Sequence, residues 1–160
     1  NETSRRLQSV AEFGSEPSLS ARLIGWRYTL RILHDYPIVG SGLGTFPEAW
    51  IYYYPGGTAG IWKEAHNDYL QVAAETGIAG AAVFAWGLFR FLKRYLFRMP
   101  RVAPGEWAGD VHVHHGIAIG LLSILLHSMV DFSLQVAAIA LLFVVLSAIM
   151  VGSKARHAGA

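Results

Sequence analysis

The sequence predicts a mainly α-helical, integral membrane protein, in which a polar helical region precedes three transmembrane helices. Hydrophobic residues make up 53% of the 160 residues and charged residues only 15%, with a mean hydropathy of +0.35, whereas soluble domains average about 25% charged residues. Long uncharged runs also fill only the second half of the chain. The sequence has no cysteine, which excludes disulfides and thiolate metal sites. Its net charge of +2 is too small to indicate nucleic-acid binding.

The first predicted helix covers residues 18–36 and ends before Pro37, because the residue preceding a proline disfavours the helical conformation. Its apolar residues recur at spacings of three and four, which is typical of an amphipathic helix: Leu19, Leu23, Trp26, Leu30 and Leu33. Arg22 falls at the edge of this stripe, so we expect its guanidinium to be half-buried and to be a candidate functional group. Arg27 and Arg31 lie toward the polar side, where a solvated face is the simpler interpretation.

Residues 37–60 are predicted to form a loop rich in glycine and aromatic side chains. Gly40, Gly42 and Gly44 permit positive φ angles and a close approach of backbone N–H groups to an anion. The Lys-Ser/Thr pair of a phosphate-binding loop does not follow them, so a closely packed turn is favoured and an anion site is the alternative. The aromatic residues either stack on sugar rings or lie at a membrane interface: Trp50, Tyr52, Tyr53 and Tyr54.

A short helix is predicted over residues 65–75, with Thr76-Gly77 as its end. His66 and Tyr69 share one face of it. In the first helical turn, the positive end of the helix dipole disfavours an imidazolium at His66. A neutral imidazole is what a general base requires at neutral pH. A histidine that only caps or packs is the alternative interpretation.

Three apolar runs follow this helix: Gly77–Leu92, which Arg90 closes by snorkelling, Gly116–Val130, and Phe132–Ser153, whose 22 residues carry no charge. A full span needs about 20 apolar residues. Residues 133–135 are predicted to form the turn between the last two spans. The histidines at 112–115 are interpreted as a loop feature, because no carboxylate stands at metal-ligand spacing.

The positive-inside rule orients these spans. Basic residues are concentrated at 93–101 and 154–157, so both segments are expected in the cytoplasm. His127 and Asp131, four residues apart on one helix face, then reach the same outer side as His66. The chain is thus divided into three parts: an outer region at 1–76, a membrane region at 77–153 with a cytoplasmic loop near 93–115, and a cytoplasmic tail at 154–160.

Five motifs follow one another over nearly the whole chain: Arg22-x-x-x-Trp26, Pro37-x-x-Gly40-x-Gly42-x-Gly44-x-Phe46, His66-Asn67-x-Tyr69-Leu70-Gln71, Glu75-x-Gly77 with Gly80, and His127-x-x-x-Asp131-Phe132. In this order they resemble the motifs of the O-antigen ligase family and the related O-antigen polymerases. The resemblance implies a multi-pass protein of the bacterial inner membrane with its active-site loop on the periplasmic side. It also implies that this chain corresponds to the C-terminal part of such a protein.

The resemblance further implies a glycosyl transfer in lipopolysaccharide O-antigen assembly. A glycan would move from an undecaprenyl-diphosphate donor to an acceptor such as lipid A–core, with inversion and without a metal or other cofactor. Arg22 corresponds to the motif arginine that receives the leaving-group charge, and His66 to the motif histidine that takes the acceptor's proton. The remaining residues of the implied substrate-binding set are Arg27, Gly42, Gly44, Asn67, Tyr69, His127 and Asp131.

Three alternatives stay open. An O-antigen polymerase or a protein O-oligosaccharyltransferase would use the same donor chemistry with a different acceptor. A membrane transporter is disfavoured, because the centres of the predicted spans carry neither the charges nor the prolines expected of a carrier.

Overall fold

The described part of the protein consists of five α-helices with no strand among them. The structure is a computed structural model, and it describes residues 19–55, 62–96 and 109–158. The predicted mainly α-helical class is confirmed. In chain order the helices are α1 (Leu19–Asp35), α2 (Phe46–Tyr53), α3 (Asp68–Phe91), α4 (Gly109–His127) and α5 (Ala137–Ala158). A π-helical turn at Leu92–Leu96 extends α3, and a 3-10 turn at Ser133–Gln135 precedes α5.

Helix α1 is one residue shorter at each end than predicted, and it buries a different face from the predicted leucine stripe. Leu23 and Leu30 are 53% and 52% exposed. The buried side of the helix instead carries Gly25 and Ile32. A Cβ at Gly25 would collide with the ring of Trp62, so the missing side chain is what lets the indole pack against the helix. The close approach of the Trp62 ring to Gly25 therefore decides which face of α1 is buried, and Leu23 and Leu30 lie on the exposed face.

Helix α2 lies inside the region predicted as a loop, so that prediction is wrong for residues 46–53. Phe46 and Trp50 are one helical turn apart and both are buried, with 0% and 1% exposure. Pro47 stands in the first turn, where its missing N–H costs no intrahelical hydrogen bond. The helix forms because one turn carries both large aromatic side chains into the same core, and that core also contains Ile32 and Ala74.

Helix α3 is kinked at Gly77, the residue predicted to end a short helix. Gly77 has φ 67° and ψ −174°, and a Cβ there would collide with the backbone of Ile38. The predicted break is therefore confirmed, but the chain resumes its helix at once. The kink lets the turn after α1 press against α3, with the Ile78 N–H donating to the Pro37 carbonyl at 2.8 Å.

The start of α3 corrects the placement of His66. Asn67 caps the helix, its side-chain oxygen accepting the Leu70 N–H at 2.9 Å. The helix therefore begins at Asp68 and not at residue 65. His66 lies just before the cap with a left-handed φ of 51°, so it is not in the first helical turn. Such a φ is uncommon for a residue with a side chain and persists where the surroundings fix it.

One helical stretch of the described residues, the 29-residue Asp68–Leu96, is long and apolar enough to cross a membrane. The apolar stretches Val111–His127 and Ala137–Gly152 are shorter. Of the three predicted spans, only the first therefore meets this criterion. Helices α4 and α5 pack against the end of α3 through a second core of Leu96, Leu121 and Met150, among others.

The predicted cytoplasmic loop is described only at its two ends, because residues 97–108 lie outside the described residues. Helix α4 begins at Gly109, so the histidines at 112–115 belong to a helix and their interpretation as a loop feature is wrong. The buried His114 places Nε2 3.3 Å from the Tyr95 carbonyl oxygen, which joins α4 to the π-helical turn.

Candidate functional site

Ionisable side chains from three parts of the fold meet around Asp131. Its Oδ1 lies 3.3 Å from Nδ1 of His66, and its Oδ2 lies 3.4 Å from Nε2 of His127. Arg22 of α1 donates from Nη1 to the Val130 carbonyl at 3.0 Å, which places its guanidinium beside the same carboxylate. Four of the predicted site residues are therefore neighbours, although more than 100 residues of sequence separate Arg22 from Asp131.

The spacing of His127 and Asp131 predicts that both lie on one helix face, but Asp131 does not lie on a helix. Helix α4 ends at His127, and Asp131 belongs to the turn that follows. The Asp131 N–H still donates to the His127 carbonyl at 3.0 Å, so one helix-like hydrogen bond keeps the two side chains together. The Phe132 N–H donates to Oδ1 of Asp131 at 2.9 Å. This bond fixes the carboxylate toward His66.

Hydrogen bonds between helices hold His66 against this turn. The indole N–H of Trp26 donates to the His66 carbonyl at 3.3 Å. The Leu134 N–H donates to Oδ2 of Asp68 at 2.8 Å, and the Asp68 N–H donates to the Ser128 carbonyl at 2.9 Å. The start of α3 is thus clamped to both sides of the α4–α5 turn.

Two residues of the implied substrate-binding set take part in this framework. The Asn67 side chain caps α3. The Tyr69 hydroxyl donates to the Leu125 carbonyl of α4 at 2.9 Å. Arg27 is exposed on α1.

Aromatic rings enclose the His66 imidazole. Trp62 and Phe132 both contact it edge-on, at centroid distances of 5.0 and 4.9 Å, and its side chain is 16% exposed. Trp50 stacks on the other side of Trp62 at 5.4 Å with an interplanar angle of 12°. Trp50 therefore belongs to the core and is not available for a sugar or a membrane interface. Its burial instead fixes the indole that orients the histidine.

The electrostatics of the cluster favour a charged Asp131. Burial raises the pKa of this carboxyl, but the Phe132 N–H, the hydrogen bond with His66 and the Arg22 guanidinium together hold the pKa below its usual value. A carboxylate only accepts hydrogen bonds, so Nδ1 of His66 must carry the proton that lies between them. In the neutral ring Nε2 then holds the lone pair, which is the form a general base needs.

Gly42 and Gly44 have partners away from this cluster. The Gly44 and Phe46 N–H groups donate to the two carboxylate oxygens of Glu75 at 2.9 and 3.3 Å. The Gly42 N–H donates to the Glu75 carbonyl at 2.9 Å. The loop is therefore a closely packed turn whose anion is a buried carboxylate of the same chain. We call the residues Gly40–Phe46 with Glu75 the glycine clasp.

Glu75 belongs to one of the five sequence motifs but is not among the predicted site residues. Gln71 donates to Glu75 Oε1 at 3.2 Å and also accepts the Ala65 N–H at 2.9 Å. The signal that could have found Glu75 is an acidic residue one turn after a glutamine, on the helix that follows a loop of glycines. Within the ranges given for the structure, no group of three or more His, Asp or Glu side chains is placed to hold a metal ion.

The fold and the site together define a helical protein with an Arg–His–Asp cluster at the end of one long apolar helix. Residues 2–85 match the model of the family described as O-antigen ligase. The match covers more than half of the chain and includes Arg22, the glycine clasp and His66, and the chain belongs to the O-antigen ligase family. Comparison with curated proteins and with solved structures gave no match.

Membership of this family establishes the function in broad outline. Its members are glycosyltransferase-like enzymes of the inner membrane, with lipid-linked glycans and their acceptors as partners. The chain accordingly has an O-antigen ligase-like function. His127 and Asp131 lie beyond the matched residues, so their part in the site is argued from their contacts alone.

Proposed function

We propose that this chain carries the catalytic residues of a membrane glycosyltransferase that moves a glycan from undecaprenyl diphosphate to an acceptor such as lipid A–core. The observation that carries the proposal is the convergence of Arg22 and His66 on the turn at residues 130–131. When a sugar–diphosphate bond breaks, an arginine at this turn can stabilise the negative charge on the leaving group. A histidine at the same turn can take the proton of the attacking hydroxyl.

Arg22 would stabilise the leaving group. Breaking the bond between the anomeric carbon and the diphosphate leaves negative charge on the phosphate oxygens. A guanidinium binds such oxygens in a fork geometry and stays protonated at all relevant pH values. The hydrogen bond to Val130 orients this group in advance, which lowers the cost of ordering it during the reaction. On this account the transfer needs no divalent cation.

His66 would activate the acceptor. Its Nε2 takes the proton of the acceptor hydroxyl while the oxygen attacks the anomeric carbon from the side opposite the diphosphate. The new glycosidic bond forms as the old C–O bond breaks, the configuration inverts, and undecaprenyl diphosphate leaves. Asp131 holds the Nδ1–H and stabilises the imidazolium that results. General-base assistance of this kind contributes roughly 10²–10⁴-fold to the rate.

The membrane placement in this proposal follows the three-span arrangement. Only 17% of the most apolar window of Asp68–Leu96 is buried within the structure, as expected for a helix whose surroundings are lipid or other spans. Helix α5 has 22 residues, about 33 Å at 1.5 Å per residue, against a hydrocarbon core of about 30 Å. Helix α4 has 19 residues, about 28 Å.

The orientation and the division of the chain are also proposals. Lys93 and Arg94 in the π-helical turn after α3 and the basic residues 154–157 favour the cytoplasmic side. Residues 1–76 and the Asp131 turn then lie in the periplasm. The three spans of residues 77–153 cross the membrane, with a cytoplasmic loop near 93–115 and a cytoplasmic tail at 154–160. The site would stand at the outer membrane face, where a lipid-linked donor can reach it.

The function is tested with the complete protein, purified into lipid nanodiscs, an undecaprenyl-diphosphate-linked glycan as donor and lipid A–core as acceptor. We expect Arg22→Ala to lose roughly 10²-fold or more in transfer, as removal of one electrostatic donor does elsewhere. Arg31→Ala is the matched control, since Arg31 is an exposed arginine of the same helix that lies over Tyr28 at 4.8 Å, and it should keep the wild-type rate.

The acceptor is identified in the same assay. Replacing lipid A–core with a second lipid-linked glycan, or with an acceptor protein, distinguishes a ligase from a polymerase and from a protein O-oligosaccharyltransferase. Transfer should persist in EDTA. Wild-type protein that transfers glycan to none of the three acceptors would contradict the proposal, and activity that is lost in EDTA and restored by Mg²⁺ would contradict its metal-independence.

A further inference from the structure

A groove of about 480 Å³ lies on the outer side of α2, away from the Asp131 cluster. Its wall combines the end of α1, the glycine clasp and the exposed side of α2. The residues that give it its chemistry are Tyr36, Ser41, Thr45, Glu48, Tyr52 and Tyr53. The volume is within the range of small-molecule sites, roughly 300–1,000 Å³.

The lining has the composition that suits a sugar. Tyr52 is 89% exposed and Tyr36 is 50% exposed, so two aromatic rings stand open to a ligand. An aromatic face packs against the C–H side of a pyranose ring, and tyrosine adds a polar hydroxyl to the same side chain. Glu48 and the hydroxyl groups of the wall supply the acceptors and donors that sugar hydroxyls need.

The wall is held in place before any ligand arrives. The Tyr53 hydroxyl donates to Oδ2 of Asp35 at 2.7 Å. The Thr45 hydroxyl lies 2.9 Å from Ser41 Oγ and 2.7 Å from the Gly42 carbonyl. Side chains that are already ordered lose little further freedom on binding, which favours affinity.

The charge of the groove lining favours a glycan over a phosphate-containing lipid headgroup as the ligand. Among the described residues that line the groove, Glu48 is the one acidic residue, and no lysine or arginine is present. Asp35 adds a second carboxylate behind Tyr53. A phosphate headgroup would be repelled by this field, whereas a neutral, hydroxyl-rich chain is not.

The groove is also mechanically joined to the His66 site. Its Ser41 and Thr45 belong to the glycine clasp, and its helix α2 buries Trp50, which stacks on the Trp62 that contacts His66. We infer that the groove binds a segment of a glycan chain at a distance from the reacting bond and so helps to hold the substrate at the Asp131 cluster. The inference rests on the proposed function, and the glycan could belong to the donor or to the acceptor.

The test measures binding of two soluble probes to the complete protein in nanodiscs by calorimetry. One is the glycan released by mild acid from the host's lipid-linked donor, and the other is the core oligosaccharide released from the host's lipopolysaccharide. We expect one of them to bind, and Tyr52→Ala to weaken its binding roughly 5- to 10-fold, as loss of an aromatic contact does. Ile51→Ala is the control, because Ile51 is a 40% exposed neighbour on α2 that does not line the groove.

The probe that binds identifies the source of the glycan. Binding of neither probe, or equal binding to wild type and Tyr52→Ala, overturns the inference. Arg22→Ala should bind the probe normally while it fails in transfer. Wild-type protein that shows no transfer but binds the glycan through Tyr52 would refute the proposed function and leave the groove site standing.

A membrane contact is the competing use of these tyrosines, and it has its own readout. The 160-residue sequence contains no cysteine, so Tyr52→Cys gives this segment a single attachment point for a nitroxide. Faster electron-spin relaxation of the nitroxide in the presence of a water-soluble nickel complex would place position 52 in water and support the glycan groove. Faster relaxation with lipid-dissolved oxygen, and no change with the nickel complex, would place position 52 in the bilayer and overturn the inference.

Discussion

Two carboxylates, Glu75 and Asp131, organise two clusters of polar groups in this protein, and they have different partners. Glu75 is 6% exposed and accepts hydrogen bonds from backbone N–H groups and an amide side chain. The Asp131 side chain is 22% exposed and meets two imidazoles beside a guanidinium. Backbone N–H groups and an amide cannot act as acids or bases near neutral pH, whereas an imidazole can.

This difference in partners indicates that Glu75 has a structural role and Asp131 a chemical one. Backbone N–H groups that surround a buried carboxylate can only hold the chain in one conformation, so the glycine clasp fixes α2 and the kink of α3. Imidazoles around a partly exposed carboxylate can exchange protons with a substrate. The glycine-rich loop resembled an anion site in sequence, but its anion is internal.

The clasp should dominate stability. In Glu75→Ala the N–H groups of Gly44 and Phe46 would lose their acceptor within the fold, at a cost of about 3 kcal/mol or more in the free energy of unfolding. Glu75→Gln keeps one carbonyl oxygen and should lose less. Glu48→Ala, an exposed acidic residue on α2, is the control that should melt as wild type does. Thermal unfolding in nanodiscs measures all three, and unchanged melting of Glu75→Ala would refute the clasp.

Asp131 should matter more for activity than for stability. Asp131→Asn keeps the shape of the side chain but removes the charge that fixes the His66 proton on Nδ1 and stabilises the imidazolium. We expect the transfer rate to fall roughly 10- to 10²-fold, which is less than removing the base itself. The rate is measured at saturating donor, together with the melting temperature. A melting temperature that falls as far as that of Glu75→Ala would mean that the two carboxylates have the same structural role.

His127 should have a smaller effect than either carboxylate. Its side chain is 62% exposed and touches Asp131 from the side opposite His66. Because the Phe132 N–H still orients Asp131 when His127 is removed, His127→Ala should reduce transfer only a few-fold. A loss as large as that of Asp131→Asn would show that the proton path runs through His127 instead.

The pH dependence of stability should be the smallest effect and appear only in acid. Because the pKa of Asp131 is held below its usual value of 3.8, its ionised form stabilises the fold above that pH, and the stabilisation is lost as the pH falls through the lowered pKa. The melting difference between wild type and Asp131→Asn should shrink as the pH falls below 3.8. A difference that grows as the pH falls below 3.8 would contradict the sign.

The sequence predicts those features that depend on helix-breaking and turn residues. Pro37 correctly marks the end of α1, Gly77 the kink of α3, and residues 133–135 the turn before α5. The first two succeed because proline and glycine limit or widen φ at their own positions. The sequence motifs single out Arg22 and His66 as candidates, but they do not reveal the turn at residues 130–131 on which both converge, because contacts over such separations are set by packing.

Features that depend on tertiary packing were not predictable in this way. Helix α2 has eight residues and forms because Phe46 and Trp50 find a common core. The packing face of α1 is decided by the Trp62 ring resting on Gly25, which a count of leucines does not reveal. The place of His66 before the helix is different, because it follows from the Asn67 cap, a local signal that the sequence does carry.

The rate of glycan transfer by His66→Ala, measured in the complete protein with a lipid-linked donor, tests the central claim most directly. His34→Ala is its matched control, since His34 also lies beside an aspartate, 3.0 Å from Asp35, but is 87% exposed on the surface. The account predicts that folded His66→Ala loses about 10²–10⁴-fold in rate, while His34→Ala keeps the wild-type rate. Transfer at the wild-type rate by His66→Ala would contradict it.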